Sequence, residues 1–239
     1  MEPILVYGHP LGSSMGLIAA FEWLGQAYRL ARVKMPDEML TPEYTELNGR
    51  QESPVLITDD RRIVTETMAI AGWLEAHDPE QRISFKPGTP ASDRLHQFVG
   101  FLNSGFTAAF TPYWIALEMG EPDPAYQTAL RRLGRDKVND RHRRLEAMIG
   151  DTPYLVGERP TLADAVFVGV ARWAYFHQAI NPDDYPRVAT LKARLEADPA
   201  VRFALAIEAG EAPSGSSAMK GQVALAEVYA LIGKVPADA

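Results

Sequence analysis

Two adjacent serines lie where a predicted strand gives way to a predicted helix. Ser13 and Ser14 follow the apolar run PILVYG and begin the segment GSSMGLIAAFEWLGQAY, whose apolar residues recur at helical spacing. The first N–H groups of a helix lack partners within the helix and carry partial positive charge, so they favour an anion. A hydroxyl there could donate a hydrogen bond to a bound thiolate and favour ionisation of the thiol. Plain helix capping by a serine explains the same residues without any ligand.

Two further dipeptides could bind the polar parts of a small molecule. Ser53–Pro54 precedes the third predicted strand, where the proline cannot donate to the strand ladder and its peptide could be cis or trans. Glu66–Thr67 heads the next helix. Its backbone N–H groups and the Thr67 hydroxyl could bind the carboxylate of a free amino acid, and Glu66 could bind the ammonium. An acidic residue that only complements the helix dipole is the alternative interpretation.

The elements that must position these residues follow from the hydrophobic periodicity. It predicts the order β-α-β, connector, β-β-α within residues 1–78, with Thr65 as the N-cap of the last helix. A Pro/Gly/Ser-rich linker at 79–90 leads to an all-helical domain over 91–210. A C-terminal extension over 211–239 is predicted to be a flexible link and one amphipathic helix. The predicted helices of the second domain cover 91–118, 124–149, 161–179 and 187–208.

The composition excludes several classes of function. With no cysteine, the chain has no disulfide and no catalytic thiolate of its own, and its five scattered histidines lack metal-ligand spacing. We therefore expect no metal site. The net charge of −7 argues against a nucleic-acid partner. Because no apolar run reaches the roughly 18 residues that a membrane span needs, we expect no membrane partner and a cytoplasmic protein.

Two segments together resemble the cytosolic glutathione transferase superfamily. SPVLITDDRRIVTETMAIAGWLE is similar to the family segment that runs from the cis-proline to the Glu-Ser pair gripping the γ-glutamyl end of glutathione. PTLADAVF is similar to the folding motif of the helical domain, where Thr161 and Asp164 have capping-box spacing. The resemblance spans about residues 3–210. It implies a thioredoxin-like α/β domain, an all-α domain, a homodimer, glutathione as co-substrate, and attack of its thiolate on an electrophilic carbon.

The resemblance also assigns roles to individual residues. Pro54 matches the cis-proline, Glu66 and Thr67 match the Glu-Ser pair, and Ser13 or Ser14 falls where beta-like members carry cysteine and theta-like members serine. Tyr7 falls near the tyrosine that activates the thiol in mammalian classes, although a packed ring at a strand end is the alternative. Glu52 and Ser53 replace the usual Gln-Val. The extra carboxylate of Glu52 weakens glutathione binding unless a cation or the ammonium group of the ligand offsets it.

The predicted electrophile pocket lies on the first helix of the second domain. Its polar residues are Asn103 and Thr107, and its apolar walls are Phe110, Tyr113 and Trp114, although packing alone also explains such aromatics. The resulting hypothesis is a glutathione transferase that acts on a small apolar electrophile. The alternatives are a binding or interaction module without turnover, and a glutathione-dependent isomerase, dehalogenase or peroxidase.

Overall fold

The computed structural model describes residues 1–121 and 123–232, and the chain divides into two compact units. One unit holds Met1–Ser84 together with the described residues from Asp198 onward, and the other holds Phe85–Ala197. The strands are β1 (Ile4–His9), β2 (Tyr28–Lys34), β3 (Val55–Ile57), β4 (Ile63–Thr65) and β5 (Met219–Val223). The helices are α1 (Met15–Leu24), α2 (Pro42–Leu47), α3 (Thr67–Ala76), α4 (Pro90–Phe101), α5 (Thr111–Glu118), α6 (Pro124–Met148), α7 (Leu162–Phe176), α8 (Pro186–Ala197), α9 (Pro199–Glu208) and α10 (Leu225–Ile232). The predicted fold class, a thioredoxin-like domain and a helical domain, is confirmed.

The first unit is built on a mixed sheet in the order β4-β3-β1-β2-β5. β1 runs parallel to β2, and β3 runs antiparallel to both β1 and β4. Central β1 is covered on both faces, which explains its unbroken apolar run. Ile4 and Val6 pack into one cluster with residues of α2 and α10. Because side chains alternate along a strand, Leu5 and Tyr7 point to the opposite face.

The unit boundary differs from the predicted one because α9 packs with the first unit. Asp198 separates α8 from α9, so the single helix predicted over 187–208 is two helices. The Asp198 carboxylate accepts hydrogen bonds from the Ala200 amide at 2.8 Å and from the Trp23 indole N–H at 2.9 Å. α9 thereby packs on α1 rather than with the helices that precede it in sequence.

The C-terminal extension contains a strand that the sequence analysis missed. Residues 219–223 form β5, which pairs in parallel with the edge of β2, and within the described residues the helix begins at Leu225. The segment carries a helix-like apolar pattern, but the pairing partner is almost two hundred residues away in sequence. Strand formation there depends on that tertiary contact, which a local pattern does not contain.

The helical unit is stabilised at the start of α7 by a buried cap. Thr161 and Asp164 form the predicted capping box. The Asp164 carboxylate accepts hydrogen bonds from the amides of Leu155 and Thr161, at 3.0 and 2.8 Å, and from the Thr161 hydroxyl at 2.8 Å. Complete burial raises the pKa of Asp164 to about 6. Across the part of the chain that is described, none of the helices combines the length and apolarity of a membrane span.

Candidate functional site

The start of α1 and the loop before β3 meet at Gly8 in β1. The Gly8 amide donates to the Ser14 hydroxyl oxygen at 3.0 Å. A Cβ on Gly8 would overlap the Ser53 hydroxyl oxygen and the Met35 sulfur, so a larger residue there would displace these two side chains. The fold therefore brings the Ser13–Ser14 segment beside the Ser53–Pro54 segment, as a common binding site requires.

The three candidate sulfur ligands occupy different environments. Ser14 is fully buried and Tyr7 is 1% exposed. The Tyr7 hydroxyl donates to the carbonyl of Ile207 at 3.4 Å, and burial raises the pKa of Tyr7. Ser13 is half-buried, and its hydroxyl has no hydrogen-bond partner among the described residues. Ser13 is thus the one of the three whose hydroxyl is accessible to a ligand.

Helix capping does not account for the two serine hydroxyls. Ser14 is the N-cap of α1, but its side chain makes no capping hydrogen bond to the helix. Its oxygen instead accepts from Gly8, which ties the helix start to β1. The neighbouring Gly12 amide donates to the Glu208 carboxylate at 3.1 Å, so α9 also holds this segment in place.

The loop before β3 is held from one side and open on the other. The Ser53–Pro54 peptide is cis. The Glu52 carbonyl accepts hydrogen bonds from the Tyr44 hydroxyl at 2.8 Å and from the Asn48 side-chain amide at 2.7 Å. Within the described residues, no hydrogen bond uses the backbone N–H or C=O of Ser53. These two groups are available to pair with the backbone of a bound peptide.

Arg50 is a candidate site residue that the sequence analysis missed. Its guanidinium lies 2.9 Å from a Glu66 carboxylate oxygen and 3.5 Å from a Glu52 carboxylate oxygen, and it donates to the Thr65 hydroxyl at 2.7 Å. Arg50 is thus a cation within ion-pair distance of both Glu66 and Glu52. The sequence places Arg50 two residues before Glu52, which could have suggested this ion pair. The contact of Arg50 with Glu66 depends on the fold.

The start of α3 differs from its prediction by one residue. Thr65 is the last residue of β4 rather than the helix cap, and Glu66 is the N-cap with a φ of 77°. The Glu66 side chain makes no capping hydrogen bond, because it extends to Arg50 instead. Thr67 is the first residue of the helix and half-buried, so its hydroxyl and the first helical N–H groups lie together.

The predicted aromatic walls form a packed cluster inside the helical unit. Phe110 is fully buried, and its ring packs edge-on to Trp173 at 5.6 Å. Tyr113 is 5% exposed and stacks on His177 at 4.8 Å, and Trp114 lies edge-on to the same histidine at 4.6 Å. Phe110 therefore belongs to the core, while Trp114 is half-buried and retains some accessible surface.

Asn103 and Thr107 lie in a segment that is not regular α-helix. Residues Leu102–Thr107 form a π-helical turn between α4 and a short 3₁₀ turn, Ala108–Phe110. A π-helical turn is wider than an α-helical turn, so the helical spacing used to place these residues on one face does not apply across it. Both side chains are half-buried, and no feature of the described structure assigns either of them a ligand.

Two protein-family models match this chain. Residues 14–77 match the model for the glutathione S-transferase N-terminal domain, and residues 108–199 match the model for the C-terminal domain. The chain belongs to the glutathione transferase superfamily. The first match contains Pro54, Glu66 and Thr67, and the second contains the α7 capping box.

Individual relatives of this glutathione transferase family member are distant in sequence. The glutathione S-transferase GstA of Escherichia coli O157:H7 is 24% identical over 186 residues, which cover 77% of this chain and 88% of that protein. A solved glutathione S-transferase from Xylella fastidiosa has a TM-score of 0.77 at 22% identity and covers 88% of this chain and 100% of its own. A glutathione transferase homologue from Sulfitobacter, solved with bound glutathione, has a TM-score of 0.75 at 22% identity and covers 88% of this chain and 99% of its own. At such identities, the structures support the fold.

Proposed function

We propose that this protein is an active glutathione transferase that conjugates the thiolate of glutathione to a small apolar electrophile. The observation that carries the proposal is the meeting at Gly8 of the start of α1 with the Ser53–Pro54 loop. This places an accessible hydroxyl, a helix start and an unpaired backbone edge in one part of the α/β unit.

Glutathione would bind through its backbone and its γ-glutamyl end. The cysteinyl backbone would pair with the free N–H and C=O of Ser53, next to cis Pro54. The γ-glutamyl carboxylate would accept hydrogen bonds from the Thr67 hydroxyl and the first N–H groups of α3. Glu66 would bind the γ-glutamyl ammonium, and Arg50 would offset the charge of Glu52.

The sulfur would lie at the start of α1, where the Ser13 hydroxyl donates a hydrogen bond to the thiolate. That bond and the partial positive charge of the helix end favour the ionised thiol at neutral pH. With an aryl halide, the thiolate attacks the carbon that carries the halogen, a C–S bond forms, and the halide leaves with its bonding electrons. The thiol proton goes to solvent, so the protein forms no covalent intermediate.

The electrophile site would lie on the helical unit. Of the residues predicted for it, the half-buried Asn103, Thr107 and Trp114 keep that proposed role, whereas Phe110 and Tyr113 are buried in the packed aromatic cluster. The remaining family expectations, a homodimer and a cytoplasmic location, are part of the same proposal. Sedimentation equilibrium of the full chain tests the dimer.

Calorimetric titration with reduced glutathione tests the ligand. Binding should be saturable at millimolar ligand, and cysteinylglycine should bind much more weakly because it lacks the groups proposed to contact Glu66 and Thr67. Equal affinity for both peptides, or no heat with either, would refute the proposed site.

Turnover assays then separate the proposed enzyme from the alternatives. We expect thioether formation from glutathione and chlorodinitrobenzene. Binding without turnover of any electrophile would favour the binding module, and turnover confined to hydroperoxides would favour a peroxidase.

A further inference from the structure

The C-terminal strand and helix complete the α/β unit beyond the region that the family models match, which ends at residue 199. β5 extends the sheet in parallel with β2, pairing Leu30 with Gln222 and Ala31 with Val223. The Tyr28 amide also donates to the Ala218 carbonyl at 3.2 Å, which continues the pairing. The extension is thus integrated into the sheet and is not a free tail over these residues.

A buried carboxylate anchors the start of the extension. Glu22, on α1, is 6% exposed. One of its oxygens accepts a hydrogen bond from the Ser216 amide at 2.5 Å, and the other accepts from the Tyr28 hydroxyl at 2.7 Å. Burying a carboxylate raises the free energy of the folded state unless the carboxylate accepts hydrogen bonds. The hydrogen bond from the Ser216 amide therefore stabilises Glu22 and holds the start of the extension in place.

The helix of the extension packs on the same face of the sheet as α2. Val228 of α10 is fully buried in a cluster that contains Tyr44 and Leu47 of α2 and Val33 of β2. Leu225 and Tyr229 pack against the same cluster. α10 therefore covers α2 and part of the sheet, and its removal would expose the Tyr44 side of α2 to water.

Tyr44 connects this packing to the proposed glutathione site. Its ring is fully buried in the cluster, and its hydroxyl donates to the Glu52 carbonyl at 2.8 Å. Asn48, at the end of α2, donates to the same carbonyl at 2.7 Å. The Arg50 amide in turn donates to the Asn48 side-chain oxygen at 3.2 Å, and the Gln51 amide donates to the Asn48 backbone carbonyl at 2.8 Å. The backbone that leads to Ser53 is therefore fixed by α2, which lies between it and α10.

We infer that α10 and Tyr44 position the glutathione-binding loop, with Tyr44 as a positioning residue that orients the Ser53 backbone through the Glu52 carbonyl. This inference rests on the proposed function, because it assigns the loop to glutathione. The helix acts on the loop through the Tyr44 ring, which packs in the same cluster as Val228.

Two pairs of variants in the full chain test this inference. Tyr44→Phe keeps the ring and removes the hydroxyl, and Tyr185→Phe is its control, because Tyr185 is 6% exposed and donates to the Asn139 side chain at 2.8 Å in the helical unit. Val228→Ala loosens the packing behind Tyr44, and Val138→Ala is its control, since Val138 is equally buried in α6. Within each pair, the two substitutions remove the same atoms, a hydroxyl or two methyl groups, from a buried side chain.

The kinetic prediction is a selective loss of glutathione affinity. Tyr44→Phe should raise the KM and Kd for glutathione between about threefold and tenfold, the equivalent of one hydrogen bond, and leave kcat and the KM for the electrophile unchanged. Val228→Ala should raise the glutathione KM to a smaller extent. The controls should match their partners in the loss of Tm without a change in glutathione KM. Equal glutathione KM values within both pairs would overturn the inference.

Amide hydrogen exchange gives a test that does not depend on glutathione. Exchange at Arg50 and Gln51 should accelerate in Tyr44→Phe and Val228→Ala, and stay at the wild-type rate in both controls. If the wild-type protein binds no glutathione, the proposed function fails. In that case, the positioning of the loop by α10 and Tyr44 is refuted only if Tyr44→Phe and Val228→Ala also leave amide exchange at Arg50 and Gln51 at the wild-type rate.

Discussion

The choice among Ser13, Ser14 and Tyr7 as the sulfur ligand can be decided by one substitution series. Ser13→Ala removes the accessible hydroxyl. A hydrogen bond to a charged acceptor contributes about 1.5 to 3 kcal/mol, so its loss should raise the pKa of the bound thiol by about 1 to 2 units. At a pH well below the wild-type thiol pKa, the fraction of thiolate and hence kcat/KM should fall by about tenfold to a hundredfold.

The other two substitutions should give different results because their hydroxyls are already engaged inside the protein. Ser14→Ala leaves the buried Gly8 amide without an acceptor and should lower the free energy of unfolding by about 1 to 3 kcal/mol, with no change in the thiol pKa. Tyr7→Phe removes a hydroxyl that donates to Ile207, on the face of the sheet that packs on α9, and should also leave the thiol pKa unchanged.

The assay is the ultraviolet absorbance of the thiolate of bound glutathione, measured against pH for wild type and each variant. Urea unfolding of the same samples separates loss of stability from loss of thiolate. Ser13→Thr keeps a hydroxyl and serves as the matched control. A thiol pKa in Ser13→Ala that equals the wild-type value would refute the assignment of Ser13, and a raised pKa in Tyr7→Phe would assign the role to Tyr7.

Three further predictions concern binding, stability and pH. Thr67→Val should weaken glutathione binding by about tenfold or more in calorimetry, since a hydrogen bond to a carboxylate is lost, whereas Thr67→Ser should bind like wild type. Asp164→Ala should lower the free energy of unfolding in urea by about 3 to 5 kcal/mol because two buried amides lose their acceptor. Half-buried Asp140, which pairs with arginines at the surface of α6, serves as the control, and Asp140→Ala should change the free energy little. Equal losses would contradict the role of the cap. Burial lowers the pKa of His142 to about 4, so the unfolded chain binds the proton first as pH falls. Protonation of His142 should therefore cost the folded protein no stability above about pH 6.5, and should lower its free energy of unfolding by up to about 3 kcal/mol at pH 4. The free energy of unfolding of His142→Phe, measured at both pH values, should fall less between them.

The architecture of the α/β unit was predictable because its signals are local. β1 reads as a buried strand from an unbroken apolar run, and α1 ends at Gly25, whose φ of 72° suits glycine. The Thr161–Asp164 capping box was also readable, because both partners lie within one helical turn. The proposed roles of Pro54, Glu66 and Thr67 also rest on a contiguous motif of the sequence.

The local signals failed where the structure depends on distant contacts. The strand at 219–223 forms on the edge of β2, and α9 packs on α1 rather than on its sequence neighbours. Neither contact can be predicted from the residues next to these elements in the sequence. The π-helical turn at 102–107 also broke the regular spacing assumed for Asn103 and Thr107.

The sequence by itself determined the family, the fold class and the residue types of the candidate site, because motif identity and hydrophobic period are local properties of a chain. The tertiary structure alone decided which hydroxyl is accessible and which cation balances Glu52. Ser13 and Ser14 are equivalent in the sequence, and only the approach of Gly8 buries one of them. Arg50 reaches Glu66 because folding places the end of α2 beside the start of α3, and burial and charge pairing are properties of that arrangement in space.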